Sequence, residues 1–182
     1  MKRMVILFGS PHENGYTKKL TDLLIENLKT KFSVAYFNAY KRNIHPCVDC
    51  SVCKGTSQCA FTDILDLTAD LAGCDVIVIA SPIYNLSFPA PLKALFDRFQ
   101  LYYNLHEKNE KWRNINKKET VVLLTSGRQA NSYLDVINKQ LNCILPYLNA
   151  NITFEVIWDN TDNVTQMGES VVNEVKKIAS LL

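Results

Sequence analysis

The sequence predicts an α/β fold, a doubly wound five-stranded parallel sheet in the order 2-1-3-4-5 with helices on both faces. Three observations predict it. Five apolar segments alternate along the chain with stretches whose apolar residues recur at helical spacing. The first, third and fourth segments are apolar without interruption, as in strands covered on both faces, whereas the second and fifth alternate with polar residues, as at sheet edges. Finally, 182 residues with 47% hydrophobic and 21% charged side chains are ordinary for one globular domain, here 1–182, and too few for two comfortable ones.

The first strand is Met4, Val5, Ile6, Leu7, Phe8, ended by Gly9. A polar loop follows, and Leu20, Leu23, Leu24 and Leu28 mark a helix that starts near Thr17. In the second strand, Phe32 to Phe37, Phe32, Val34 and Tyr36 alternate with Ser33 and Ala35. Positions 43–62 form a polar, cysteine-rich crossover, after which Ile64, Leu67 and Leu71 indicate a short helix. Val76, Ile77, Val78, Ile79 and Ala80 make the third strand. Pro89 and Pro91 are placed to open the next helix, whose apolar stripe is Leu92, Leu95, Phe96 and Phe99.

Positions 100–119 show no clear period and read as an irregular insertion, solvated or serving as a lid or partner surface, with Tyr102, Tyr103 and Trp112 among charges. Val121, Val122, Leu123 and Leu124 form the fourth strand, ending in Thr125, Ser126 and Gly127. A helix through Leu134, Ile137, Leu141 and Ile144 is stopped by Pro146. Ile152, Phe154 and Val156 mark the fifth strand, and Val164, Val171, Val175, Ile178 and Leu182 the closing helix.

A formal charge of +2 gives no reason to expect nucleic acid or an anionic membrane as partner. Only Met1, Lys2 and Arg3 precede the first strand, which leaves no room for a signal peptide, and no apolar run approaches membrane-spanning length. A cytoplasmic protein is the expectation.

In the order 2-1-3-4-5 the winding direction changes between strands one and three, where open α/β sheets bind ligands. The loops there are SPHENGYT and SPIYNLS. Ser10, Asn14, Tyr16 and Thr17 offer hydroxyl and amide donors beside the first free amides of a helix, and no lysine or arginine lies between Ser10 and Thr17. An anion here is held by dipoles and hydrogen bonds. The loop is neither G-x-G-x-x-G nor a P-loop, and a plain helix cap needs similar residues.

Three blocks, GSPHENGYTKKL, CVDCSVCKGTSQCAFTDIL and ASPIYNLSFPAPLKALFDR, together resemble the flavodoxin-like NAD(P)H-dependent FMN reductases, and within them the branch that includes iron-sulfur flavoproteins. The resemblance covers the first half of the chain by motif and the second half by element pattern. It implies FMN as the prosthetic group. Ser10, Asn14, Tyr16 and Thr17 would hold its phosphate, with His12 where the family often has a basic side chain and Tyr16 where it often has Asn. Pro82, Ile83, Tyr84 and Asn85 would lie along the isoalloxazine, and Ser126 and Gly127 would cover another edge.

Six cysteines are unusual in a reducing compartment, where they read as metal ligands, redox groups or small apolar residues. Cys47, Cys50, Cys53 and Cys59 have the spacing C-x2-C-x2-C-x5-C, close to a compact iron-sulfur pattern. In the resembling branch such a block ligates a [4Fe-4S] cluster. Zinc, reduced thiols and a labile disulfide are the alternatives. Cys74 and Cys143 are expected to be buried and inert, and His45 and His106 to lie at the surface.

The expected activity is transfer of electrons from NAD(P)H through FMN to a quinone, a free flavin, a metal ion or another small acceptor. No catalytic Ser/His/Asp or paired-carboxylate set is needed, because the cofactor supplies the chemistry. The alternatives are an electron carrier coupling a cluster to FMN with a ferredoxin-like partner, and a zinc or thiol sensor without flavin. A homodimer is what the resemblance implies.

Overall fold

The uninterrupted run Met4–Phe8 lies in an inner strand of the sheet, with each side chain at most 1% exposed in the computed structural model, which describes residues 1–130 and 134–182. Around it β1 (Lys2–Phe8), β2 (Phe32–Asn38), β3 (Val76–Pro82), β4 (Lys118–Thr125) and β5 (Ala150–Trp158) pair in the order β2-β1-β3-β4-β5, every pairing parallel. The predicted order is therefore observed, and for the predicted reason. The inner strands are covered on both faces, whereas β2 leaves Val34 and Tyr36 exposed and β5 is only half-buried along much of its length.

The connecting helices are α1 (Tyr16–Glu26), α2 (Val52–Thr56), α3 (Leu65–Gly73), α4 (Ala90–Asp97), α5 (Gln100–Lys108), α6 (Glu110–Arg113), α7 (Leu134–Ile144) and α8 (Glu169–Leu181). Because successive strand residues point to opposite faces, the sheet builds two cores. Met4, Ile6, Phe8, Val78 and Leu123 meet Leu20 and Leu24 of α1 and Val175 and Ile178 of α8. On the other face, Val5, Leu7, Ile77, Ile79 and Val122 meet Leu67 and Leu71 of α3, Leu92 and Leu95 of α4, and Ile137 and Leu141 of α7.

Three expectations are corrected. Positions 100–119 are largely helical, through α5 and α6, and Leu101, Tyr102, Leu105 and Trp112 belong to the core. The period is hidden because Asn109 ends one helix and starts the next, its side chain accepting from the amides of Lys111 and Trp112. The rings of Tyr102 and Trp112 then stack, with centroids 5.3 Å apart. The last helix begins after Gly168, so Val164 lies in the preceding loop and is exposed. α7 ends at Ile144, as Pro146 predicts, and Pro146 itself sits within a turn of 3-10 helix, Leu145–Leu148, where a residue without an N–H is tolerated near the start. Cys74 is buried as expected, but Cys143, on the outer side of α7, is exposed. Among the described residues no helix is long and apolar enough to cross a membrane.

Candidate functional site

The carboxyl ends of β1, β3 and β4 hold the site. Gly9 closes β1 by donating its N–H to the Ala80 carbonyl at 2.8 Å. A Cβ on Gly9 would come within 2.5 Å of Leu92 Cδ2, so glycine is what lets the strand end settle against α4. The loop then folds on itself, the His12 N–H donating to Ser10 Oγ at 3.2 Å and the Gly15 N–H to the His12 carbonyl at 3.3 Å.

The first α1 bond runs from Lys19 N–H to the Gly15 carbonyl, leaving the amides of Tyr16, Thr17 and Lys18 without partners in the helix. No side chain caps this end and its first turn holds no acidic residue. An electropositive helix end therefore faces the loop.

Thr17 joins this wall to the next one. Its Oγ1 lies 2.8 Å from Thr125 Oγ1 at the end of β4, and both residues are buried. The amide of Ile83 donates to the Thr125 carbonyl at 2.8 Å, tying the loop after β3 to the same point. Tyr84 and Ser87 exchange two backbone hydrogen bonds of 2.9 Å around Asn85 (φ 51°) and Leu86 (φ 63°). Two successive positive φ values define a tight hairpin turn, tolerable for Asn and strained for Leu.

The Ser126–Gly127 loop is pinned to the segment after β5. Thr161 N–H donates to the Ser126 carbonyl at 3.0 Å and Asp162 N–H to the Gly127 carbonyl at 3.1 Å. The Asp162 carboxylate oxygens lie 2.6 Å from where a Cβ on Gly127 would stand. Tyr16 packs edge-on against Trp158, with centroids 4.9 Å apart, and closes that side.

Nine of the expected cofactor residues, Ser10, His12, Tyr16, Thr17, Pro82, Ile83, Tyr84, Ser126 and Gly127, line one hollow of about 420 Å³. Asn14 instead lines an adjoining cavity of about 560 Å³, with Glu13, Lys18 and Lys41. Asn85 shapes the hairpin turn beside the hollow and is not part of its lining. Sequence reasoning missed Gly15, Thr125, Thr161 and Asp162 as lining residues. Thr125 could have been found as the last residue of its strand. For Thr161 and Asp162 the only signal is that β5 lies beside β4, which carries its following loop to the same rim. Among the described residues no lysine or arginine lines the hollow, and Asp162 is its one carboxylate.

The four cysteines of the block line a second, smaller cavity of about 30 Å³, in which Cys47 and Cys50 are exposed and Cys53 and Cys59 half-buried. Asp49, Ser51 and Ser57, all in this segment, have positive φ values of 47°, 62° and 59°. Among the described residues no three His, Cys, Asp or Glu side chains are arranged around a single metal ion.

Arg98 forms the floor of this cavity, only 2% exposed. Its Nη1 donates to the His45 carbonyl at 2.8 Å, and its Nη2 to the Phe61 carbonyl at 3.0 Å and to Asp63 Oδ1 at 2.9 Å. Burial tends to raise the Asp63 pKa, but the Arg98 hydrogen bond, the His45 amide and the Arg98 charge hold the carboxyl below the usual carboxylate range. His45 is exposed, as expected, with its ring stacked on Phe61 at 3.6 Å. His106 is half-buried rather than on the surface, because α5 turns it toward Tyr147.

The profile of a family described as NADPH-dependent FMN reductase matches residues 2–158. The chain is 31% identical over 104 residues to an iron-sulfur flavoprotein of Archaeoglobus fulgidus, covering 56% of this chain and 47% of that one. It is 26% identical to an FMN-dependent NADH:quinone oxidoreductase of Coprothermobacter proteolyticus, over 99% of this chain and 94% of that protein. The chain spans about half the length of three curated relatives that it matches, the Archaeoglobus fulgidus iron-sulfur flavoprotein among them. In fold it is similar to an NAD(P)H:quinone oxidoreductase from Methanothermobacter marburgensis, with a TM-score of 0.71, 15% identity, and coverage of 97% of this chain and 92% of that one.

Proposed function

This chain belongs to the NADPH-dependent FMN reductase family, and from that premise we propose that it binds FMN in the hollow at the ends of β1, β3 and β4 and passes electrons from NAD(P)H to a small acceptor such as a quinone, a free flavin or a metal ion. The observation that carries this reading is the convergence of three loops on one hollow of about 420 Å³, within the usual range of small-molecule sites. The lining fits the group. Its uncapped helix end and buried hydroxyls suit a phosphate without a countercharge, and Pro82, Ile83 and Tyr84 offer a largely apolar wall for a flat ring.

When bound, FMN supplies the hydride and electron chemistry. The chain positions and shields it. Ser10, Thr17 and the amides of Tyr16 and Thr17 take the phosphate, while Asp162 repels an anion from the Gly127 side and so fixes which end of the cofactor enters where. Thr125 holds Thr17 through its hydroxyl and Ile83 through its carbonyl, keeping the phosphate and ring walls in register. Asn14 serves the phosphate loop from outside the hollow and Asn85 holds the ring-side turn. A homodimer in the cytoplasm, built on a single FMN-binding domain over 1–182, completes the reading on the family resemblance. Steady-state oxidation of NADH or NADPH by the FMN-loaded protein tests it. Saturable turnover with a quinone or free flavin is expected, and no turnover with any acceptor of these classes would contradict it.

A second reading is favoured by the cysteine pocket, in which four thiols surround one cavity beside a buried cation. Cys47, Cys50, Cys53 and Cys59 would hold a [4Fe-4S] cluster there, which would supply one-electron exchange with FMN and with a ferredoxin-like protein partner. A cluster gives each of its irons one thiolate, so its ligands ring a cavity instead of meeting at a point. Stoichiometric iron and sulfide in protein isolated without oxygen supports this reading, and flavin alone rejects it.

A further inference from the structure

We infer that Arg98 and Asn104 are positioning residues whose N–H groups hold the sulfurs of the cysteine pocket and raise the reduction potential of a cluster bound there. The inference rests on the second reading above and names what tunes that site. Both residues stand on the helical run that follows β3, away from the cysteine segment in sequence, and both line the cysteine cavity.

Asn104 is 5% exposed, and its Nδ2 donates to Cys53 Sγ at 3.4 Å and to the Gln100 carbonyl at 2.7 Å. The contact with sulfur is thus made by a side chain whose other N–H bond locks it to its own helix. On Arg98, the two Nη groups are consumed by His45, Phe61 and Asp63, while Nε is buried and has no partner among the described residues. An N–H buried without an acceptor is costly, and Arg98 is one of the residues that line the cysteine cavity.

The arrangement is more than a scaffold for the loop. A scaffold needs the carbonyl and carboxylate contacts of the Nη groups, which Arg98 makes with the edge of its guanidinium away from the stem. Further fixing of the segment comes from α2 resting on α5 and from Lys108 Nζ donating to the Lys54 carbonyl. Neither of these explains an amide aimed at Cys53 or an unpaired Nε. Donors directed at cluster sulfur stabilise the more negative, reduced state and so raise the potential. Arg98 adds a fixed positive charge in the same sense.

The test is redox potentiometry on the anaerobically reconstituted holoprotein, with wild type, Asn104→Leu and Arg98→Lys compared. Asn104→Leu removes the donor while keeping the bulk, and Arg98→Lys keeps the charge while losing the fixed Nε. The expected result is a cluster midpoint displaced to more negative potential in both variants, about a tenfold change in the oxidised-to-reduced ratio or about 59 mV for a one-electron couple. The FMN midpoint should stay in place, which separates tuning of the cluster from general damage. Should Arg98→Lys fail to fold, Asn104→Leu decides alone. Equal cluster midpoints in the folded variants and the wild type overturn the inference while leaving the cluster reading intact. A wild-type protein that takes up no iron and sulfide overturns both.

Discussion

The hollow at the strand ends is walled by short loops each tied separately into the sheet, whereas the cysteine pocket depends on one buried arginine. Around the hollow, Gly9 bonds to Ala80, Ile83 to Thr125, Ser126 to Trp158 and Thr161 to Ser126, all through backbone groups that survive side-chain substitution. In the cysteine segment, the Arg98 side chain gathers His45, Phe61 and Asp63, and three residues there hold left-handed backbone. The difference teaches where each pocket is vulnerable. Single substitutions should trim ligand affinity in the first and unfasten the second.

The largest expected effect is therefore that of Arg98→Met. It leaves two carbonyls without their donor and Asp63 without its charged partner, at a cost of about 3 kcal/mol, read as a lower midpoint in denaturant unfolding. Protease cleavage within 43–62 should quicken in this variant while FMN binding persists, since no contact of Arg98 touches the hollow. Equal loss of FMN would break the distinction between the two regions.

Gly127→Ala is the matching insult to the first region. The added methyl meets the flexible end of Asp162 and not backbone, so stability should hold while the displaced carboxylate crowds the hollow. FMN affinity should fall about tenfold, about 1.4 kcal/mol, in a binding titration. A large loss of stability with unchanged affinity would mean that the loop is scaffold only.

A smaller effect follows pH. The folded pKa of Asp63 lies below its unfolded value near 3.8, so its contribution is complete above that value and is lost as pH falls through the depressed folded pKa. Asp63→Asn should flatten the acid limb of the stability curve in that window and leave the region around neutrality to the hydrogen bonds it keeps. The least perturbing measurement is alkylation of the native protein followed by peptide mass analysis. Cys143 should react and Cys74 should not, because Cys74 is fully buried and burial pushes its thiol up to about 11.

The sheet order was legible because burial on one face or two leaves a direct mark on each strand, as Met4–Phe8 and Phe32–Asn38 show side by side. Most of the hollow was legible because strand ends and loop composition are local properties. What escaped was non-local. Asp162 reaches the rim only because β5 lies beside β4, and Arg98 and Asn104 reach the cysteines only because the chain from the end of α4 through α5 packs against their segment. The helical character of 100–108 was hidden by aromatic and charged residues that pack through Tyr102 and Trp112, where tertiary contact outweighs an indistinct period.

The hollow itself is tested most directly by titrating FMN-free protein with FMN and following flavin fluorescence, in wild type and in Thr17→Val. That substitution removes a buried hydroxyl between helix end and strand end while keeping its shape. Saturation at one FMN per chain, with affinity about tenfold weaker in the variant, is the predicted result. Failure of the wild type to saturate, or identical affinities in the two proteins, would contradict a phosphate seat at the start of α1.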